Sequence, residues 1–155
     1  GDLWYFPPGL PHSIQALNDT GVDGSEFLLV FDQGDFSEDN TFLLTDWLAH
    51  VPKEVLAKNF HADMSVFEHI PEEELYIFPT DVPGNLQDVQ NQIQAPNGPA
   101  TNPFSFAMSK MDATKVPGGT VKIVDSSIFN VSKTIAAAEV TVQPGGMREL
   151  HWHPT

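Results

Sequence analysis

Cysteine is absent from the 155 residues, which excludes a disulfide frame and any thiolate metal site, and leaves the redox compartment unreadable from thiols. Basic residues are scarce: seven lysines and arginines stand against 21 acidic residues, a formal net charge of -14. Nucleic acid and anionic membranes both demand a cationic surface, so neither is expected as a partner, and an anionic substrate has to be attracted locally. No apolar run approaches the roughly 20 residues of a membrane span. The chain opens on Gly1 with no signal peptide, so it is expected to be processed or a piece of something longer.

The length is that of one ordinary domain, and an apolar content of 41% suffices in principle for a core. Two sequons, Asn18-Asp19-Thr20 and Asn130-Val131-Ser132, would permit N-glycosylation on a secretory route. Together with the acidity they tilt the expectation toward a secreted, extracellular protein.

Strand and turn signals alternate with helical ones along the chain. Leu3–Phe6 and Phe27–Phe31 read as strands, with turn chemistry over Asn18–Ser25. Residues 32–41, DQGDFSEDNT, read as a surface loop. Leu43, Leu44, Trp47 and Leu48 recur at helical spacing, and Pro52 suits the first turn of a second helix, Lys53–Phe60. A third short helix is expected around Ser65–His69. From Pro71 to Pro103 the chain is rich in Pro, Gly, Asn and Gln, with Leu75–Phe78 as its one extended piece, and reads as a linker between two bodies. Strands return at Phe104–Met111, Thr120–Asp125 and Ile135–Gln143. In the last, Ala136, Ala138, Val140 and Val142 share one face and Glu139 and Thr141 the other, which predicts a half-buried sheet.

His151 and His153 follow the turn-forming Pro144–Gly146. On a strand they would share a face, since side chains alternate with period two, and that is a metal-ligand spacing. A chance pair on an exposed strand reads the same way. His12, behind Pro7, Gly9 and Pro11, would by itself be read as capping a proline-rich turn. His50, His61 and His69 have no partner at ligand spacing and read as surface or helix-end residues. Imidazole and carboxylate ligands without thiolate suit Mn or Fe, yet Zn and Cu also bind imidazole, so ligand type does not choose among them.

The spacing of Gly1, Pro7, Gly9 and His12, and that of Gly145, His151 and His153, resemble the second and first sequence motifs of the cupin superfamily. The stretches GDFSEDNTFLLTDWLAHVPKEVL and TIAAAEVTVQPGGMRELHWHP are similar to the bicupin oxalate decarboxylases, the fungal type in particular. The resemblance implies a mainly β fold: cupin (double-stranded β-helix, jelly-roll) pieces with a helical inter-barrel segment. Residues 1–31 would be the C-terminal part of a first barrel, 32–103 the lid loop, helices and linker, and 104–155 the N-terminal part of a second barrel.

In that family each barrel holds one manganese ion through three histidines and a glutamate, with dioxygen as redox cofactor. The resemblance therefore places His12 in a first metal site and His151 and His153 in a second, with the remaining ligands before Gly1 and past Thr155. It assigns Arg148 to the substrate carboxylate, a task that suits a bidentate guanidinium, although strict alternation puts Arg148 with Leu150 and Trp152, opposite the histidines. It makes Ser37, Glu38, Asp39, Asn40 and Thr41 a lid, with Glu38 donating the proton that turns the decarboxylated fragment into formate. A carboxyl group in a water-poor site has a raised pKa and can do this. Asp39-Asn40 departs from the bacterial form of the lid, which puts its opening and closing rates in question. The implied activity is conversion of oxalate to formate and CO2 by a homo-oligomeric, hexameric parent, the piece alone being inactive. The alternatives are an oxalate oxidase releasing hydrogen peroxide and a non-enzymatic storage-type bicupin.

Overall fold

The computed structural model describes all residues except 18–23, 93–95, 97, 99–103 and 155. Contacts divide the chain into two units: Gly1–Ala16 with Gly84–Thr155, and Leu17–Pro83.

The first unit holds the sheets. β1 (Leu3–Trp4) pairs antiparallel with β2 (Ser105–Phe106), and Tyr5 N–H extends the pairing by donating to the Phe104 carbonyl at 2.8 Å. Beside it, Asp2 accepts from the Ser109 amide at 3.0 Å and from its hydroxyl at 2.6 Å, which holds the Asp2 carboxyl below the usual carboxylate range. A second sheet has the order β3 (Thr114–Val116), β4 (Gly119–Val124), β5 (Ala137–Val142), antiparallel throughout. β5 lies within the strand predicted from sequence, and β4 is the predicted Thr120–Asp125 strand moved one residue toward the N-terminus. The strand expected over Phe104–Met111 keeps only Ser105–Phe106 before the chain winds into a 3-10 turn, Met108–Lys110. β3 replaces what reads as a separator, because Pro117-Gly118 closes a two-residue hairpin with Val116 opposite Gly119.

The covered face of this sheet is not the one that alternation predicts. Met108, Val124 and Phe129 form the core, with Leu3, Tyr5, Phe106, Met111, Val131 and Ala137 packed around it. Val124 lies opposite Ala137, and Lys122 opposite Glu139, so Ala137 and Glu139 line the packed side. Val140 and Val142, with Ile123, remain exposed. Lys122 answers its burial by pairing with Glu139 at 3.0 Å and donating to the Met108 carbonyl at 3.2 Å. Lys122→Ala is therefore expected to cost the whole protein about 1–3 kcal/mol, mostly through the stranded carbonyl. Glu139→Gln should cost less, since that carboxylate is half exposed. Denaturant midpoints of the two variants check the order.

The second unit is helical. α1 (Leu44–Ala49) and α2 (Lys53–Phe60) stand where the i, i+4 spacing puts them, with Pro52 as the N-cap of α2 rather than inside it. His50 and His61 end these helices, His61 in the left-handed conformation that terminates α2. The third helix shortens to a 3-10 turn, Met64–Phe67, capped by Asp63. Leu56 and Phe67 are buried, and the Phe60 and Phe67 rings lie 5.7 Å apart. Two sequence expectations are corrected. Phe27–Phe31 forms no strand and is exposed, since an apolar run needs a paired edge and none of the described residues supplies one. Leu75–Phe78 is not a strand either, because Tyr76 has φ +50° and breaks the extended run.

Part of the expected linker is ordered: back in the first unit, α3 (Leu86–Asn91) opens on Asn85, whose side chain accepts from the Gln87 amide at 2.9 Å. The turn predicted at Asn18–Ser25, and with it the Asn18 sequon, lies mostly outside the described residues.

Candidate functional site

His12 is carried by a turn that its own sequence dictates. Pro7 accepts at its carbonyl from Leu10 N–H at 3.1 Å, with Pro8 and Gly9 between them and Gly9 at φ +80°, the arrangement of a type II turn. The exposed imidazole then sends Nδ1–H to the Leu10 carbonyl at 2.9 Å, which leaves Nε2 without a hydrogen-bond partner among the described residues. The Phe6 ring lies flat on it, centroids 3.9 Å apart and planes 7° apart.

His151 and His153 come after a second turn. β5 ends at Val142, Gly145 takes φ +80°, and Gly146 N–H donates to the Gln143 carbonyl at 2.8 Å. Residues 146–154 then form no hydrogen-bonded strand, which corrects the expected strand placement: their ladder partner is not among the described residues. The two rings are still neighbours, 5.1 Å apart and nearly perpendicular. His151 Nδ1 donates to the Glu149 carbonyl at 2.8 Å, again exposing Nε2. Anchoring one ring nitrogen on a backbone carbonyl is how ligating histidines are commonly held in the right tautomer, so the donor chemistry fits a divalent metal. Among the described residues, however, no three His, Asp or Glu side chains gather into a metal set, and His12 does not join His151 and His153 in one. Arg148 is exposed and makes no ion pair among the described residues.

The loop Ser37–Thr41 is a 3-10 turn, Glu38–Asn40, held by Asn40 N–H to the Ser37 carbonyl at 3.2 Å and Thr41 N–H to the Glu38 carbonyl at 2.8 Å. Its backbone is fixed without help from the Glu38 side chain. That side chain instead accepts a hydrogen bond from the Tyr76 phenol, and this bond, reinforced by the Glu38 and Glu74 charges, raises the Tyr76 pKa above its ordinary value. Glu38, Asp39, Glu74 and Tyr76 line an open hollow of about 450 Å³. Ser37, Asn40 and Thr41 face a smaller one of about 220 Å³, together with Gln33, Asp35 and Phe36. Three carboxylates repel a dianion, so the first hollow is no anion pocket by itself. Sequence reasoning missed Tyr76, which lies 38 residues from Glu38 in a segment read as linker. Its only signal was an aromatic in the stretch Leu75–Phe78, directly after the acidic Glu72–Glu74.

Residues 1–66 match the cupin family, and the likeness does not stop there. The chain is 55% identical over 154 residues to the oxalate decarboxylase OxdC of Bacillus subtilis, 99% of this chain and 38% of that one. It is 44% identical over 160 residues to a probable oxalate decarboxylase of Arthroderma benhamiae, covering 37% of its length. A solved structure of the Bacillus subtilis enzyme at pH 4.6 superposes with a TM-score of 0.89 over 99% of this chain and 39% of that one. The fold is that of a cupin, and the bacterial relative stands at higher identity than the fungal one. The chain spans under two-fifths of the length of these relatives, 38% and 37%. Structural work on the Bacillus subtilis enzyme concerns its Mn(II) centres.

Proposed function

We propose that the protein to which this chain belongs is a manganese-dependent oxalate decarboxylase, converting oxalate and a proton to formate and CO2. The 55% identity to OxdC along 99% of the chain carries this reading. Under it, the C–C bond of oxalate breaks, CO2 leaves, and Glu38 delivers its proton to the carbon that becomes formate. The 37–41 turn acts as the lid that brings the acid in and excludes water. Arg148 offers two parallel N–H donors to a substrate carboxylate. His12 belongs to one metal sphere, and His151 and His153 to another, one ion per barrel. The chemistry manganese supplies when bound, with dioxygen as redox cofactor, is polarisation of a carboxylate it anchors.

The three-part division into barrel, lid with linker, and barrel, the hexameric assembly and the extracellular location belong to the same reading. The Asn130 sequon offers an exposed asparagine, but Ser132 is buried with its hydroxyl donating to the Ile135 carbonyl at 2.6 Å. Any glycan there would be added before the turn closes.

Two rivals differ in product. An oxalate oxidase would release hydrogen peroxide, and a storage-type bicupin would bind no transition metal. Expressing the whole protein, measuring bound manganese and quantifying formate and peroxide from oxalate separates all three. Peroxide in place of formate, or a metal-free inactive protein, would sink the proposal. Tyr76→Phe removes the phenol that holds the Glu38 carboxylate. It is expected to lower the formate rate by about threefold to tenfold, with a larger peroxide fraction and an unchanged melting temperature.

A further inference from the structure

We infer that Phe6 is a positioning residue for His12, its ring fixing the plane of the imidazole so that Nε2 is presented to a metal ion in one direction. The inference rests on the reading of His12 as a ligand. A histidine exposed on a surface turn has two free torsions, and binding a metal would cost the entropy of freezing them. Here both are already constrained. The bond from Nδ1–H to the Leu10 carbonyl, 2.9 Å, sets which edge of the ring faces inward. The Phe6 face, 3.9 Å away and 7° from parallel, sets the plane.

Two aromatic rings left to themselves prefer offset or edge-to-face contact over a near-parallel stack at this separation. The geometry is therefore imposed by the chain. Phe6 and His12 flank PPGLP, and the Pro7–Leu10 turn with Gly9 at φ +80° folds one back onto the other. Phe6 is half-buried and also meets Trp4, edge-to-face at 6.3 Å and 82°. Trp4 lies in β1, whose register with β2 is Trp4 opposite Ser105. A continuous path, paired strand to indole to phenyl to imidazole, thus holds the ring. His151 is placed differently: its ring neighbour is His153, at 5.1 Å and nearly perpendicular. The second site should not depend on Phe6.

The test uses the whole protein stripped by chelator and titrated with Mn(II), the bound ion followed by its electron paramagnetic resonance signal. His12→Ala defines the affinity class that belongs to His12. Phe6→Leu, which keeps apolar volume but loses the flat face, is expected to weaken that class about tenfold, as loss of an orienting neighbour does. The other class and the melting temperature should stay unchanged, and Phe6→Tyr should restore wild-type affinity. Wild-type affinity in Phe6→Leu, or equal weakening of both classes, overturns the role of Phe6 while leaving His12 a ligand. If His12→Ala itself leaves both classes intact, the ligand reading fails, and the inference falls with it.

Discussion

If the whole protein is the oxalate decarboxylase proposed above, with Glu38 as its proton donor, Glu38→Gln is expected to cut formate production from oxalate by a factor of about 10² to 10⁴, the usual contribution of a positioned proton donor, while hydrogen peroxide rises. The reason is local. Once CO2 has left, the remaining fragment holds an electron pair at carbon, and without a proton its electrons pass to dioxygen. Glutamine keeps the shape of the side chain and removes the proton. Because the 3-10 turn is closed by the Ser37 and Glu38 carbonyls and not by the carboxylate, the backbone should survive the change. The melting temperature is therefore expected to hold while the product changes. Simultaneous assay of formate and peroxide checks this, and an unaltered product ratio would remove Glu38 from the mechanism.

Gly119→Ala should produce the largest loss of stability of any small substitution in the sheet. Gly119 opens β4 opposite Val116 on one side and Val142 on the other. A Cβ there would run into the Thr141 carbonyl and come within 3.3 Å of the Val142 Cα. Both obstacles are backbone atoms of β5, so relief requires the strands to part. A cost of about 3 kcal/mol or more is expected, the range reserved for overpacking and forced backbone shifts. Gly118→Ala is the control, since its new Cβ would meet Gly146 Cα at 3.4 Å and Met147 N at 3.9 Å, both ordinary contacts. Denaturant midpoints of the two variants should differ widely. Similar midpoints would mean that the β3–β4 turn yields more easily than its geometry implies.

Legibility from sequence followed the range of the interactions involved. The spacing of Leu44, Trp47 and Leu48, and the alternation through Thr120–Asp125 and Ile135–Gln143, are local patterns and produced real elements close to their expected bounds. α3 escaped notice because LQDVQN is polar, and only the N-cap Asn85 announced it. β3 is three residues long, and its Thr114, Lys115 and Val116 carry no periodicity of their own. Which face of β5 is covered depends on where Met108 and Phe129 travel, and alternation carries no information about that.

The candidate site divides the same way. The histidine spacings and the acidic turn are visible in a few consecutive residues. The partners are not: Tyr76 reaches Glu38 across 38 residues by way of a left-handed backbone position, and Phe6 meets His12 only because Gly9 permits the turn between them. The apolar run Phe27–Phe31 shows the converse, a strong local signal with no paired edge among the described residues to satisfy it.

The pairing of Leu3 with Phe106 and Trp4 with Ser105 joins positions about a hundred residues apart, a closure whose entropic cost is met only when the later strand exists. A ribosome adding roughly 5–20 residues per second leaves the first strand waiting several seconds for its mate. During that interval Trp4, and the Phe6 ring that meets it edge-to-face, lack the rail that aligns them. Nascent chains arrested before Phe106 should thus show a freely rotating Trp4 indole by fluorescence anisotropy, followed by a late ordering step once synthesis passes Ser109 and Asp2 can clasp it.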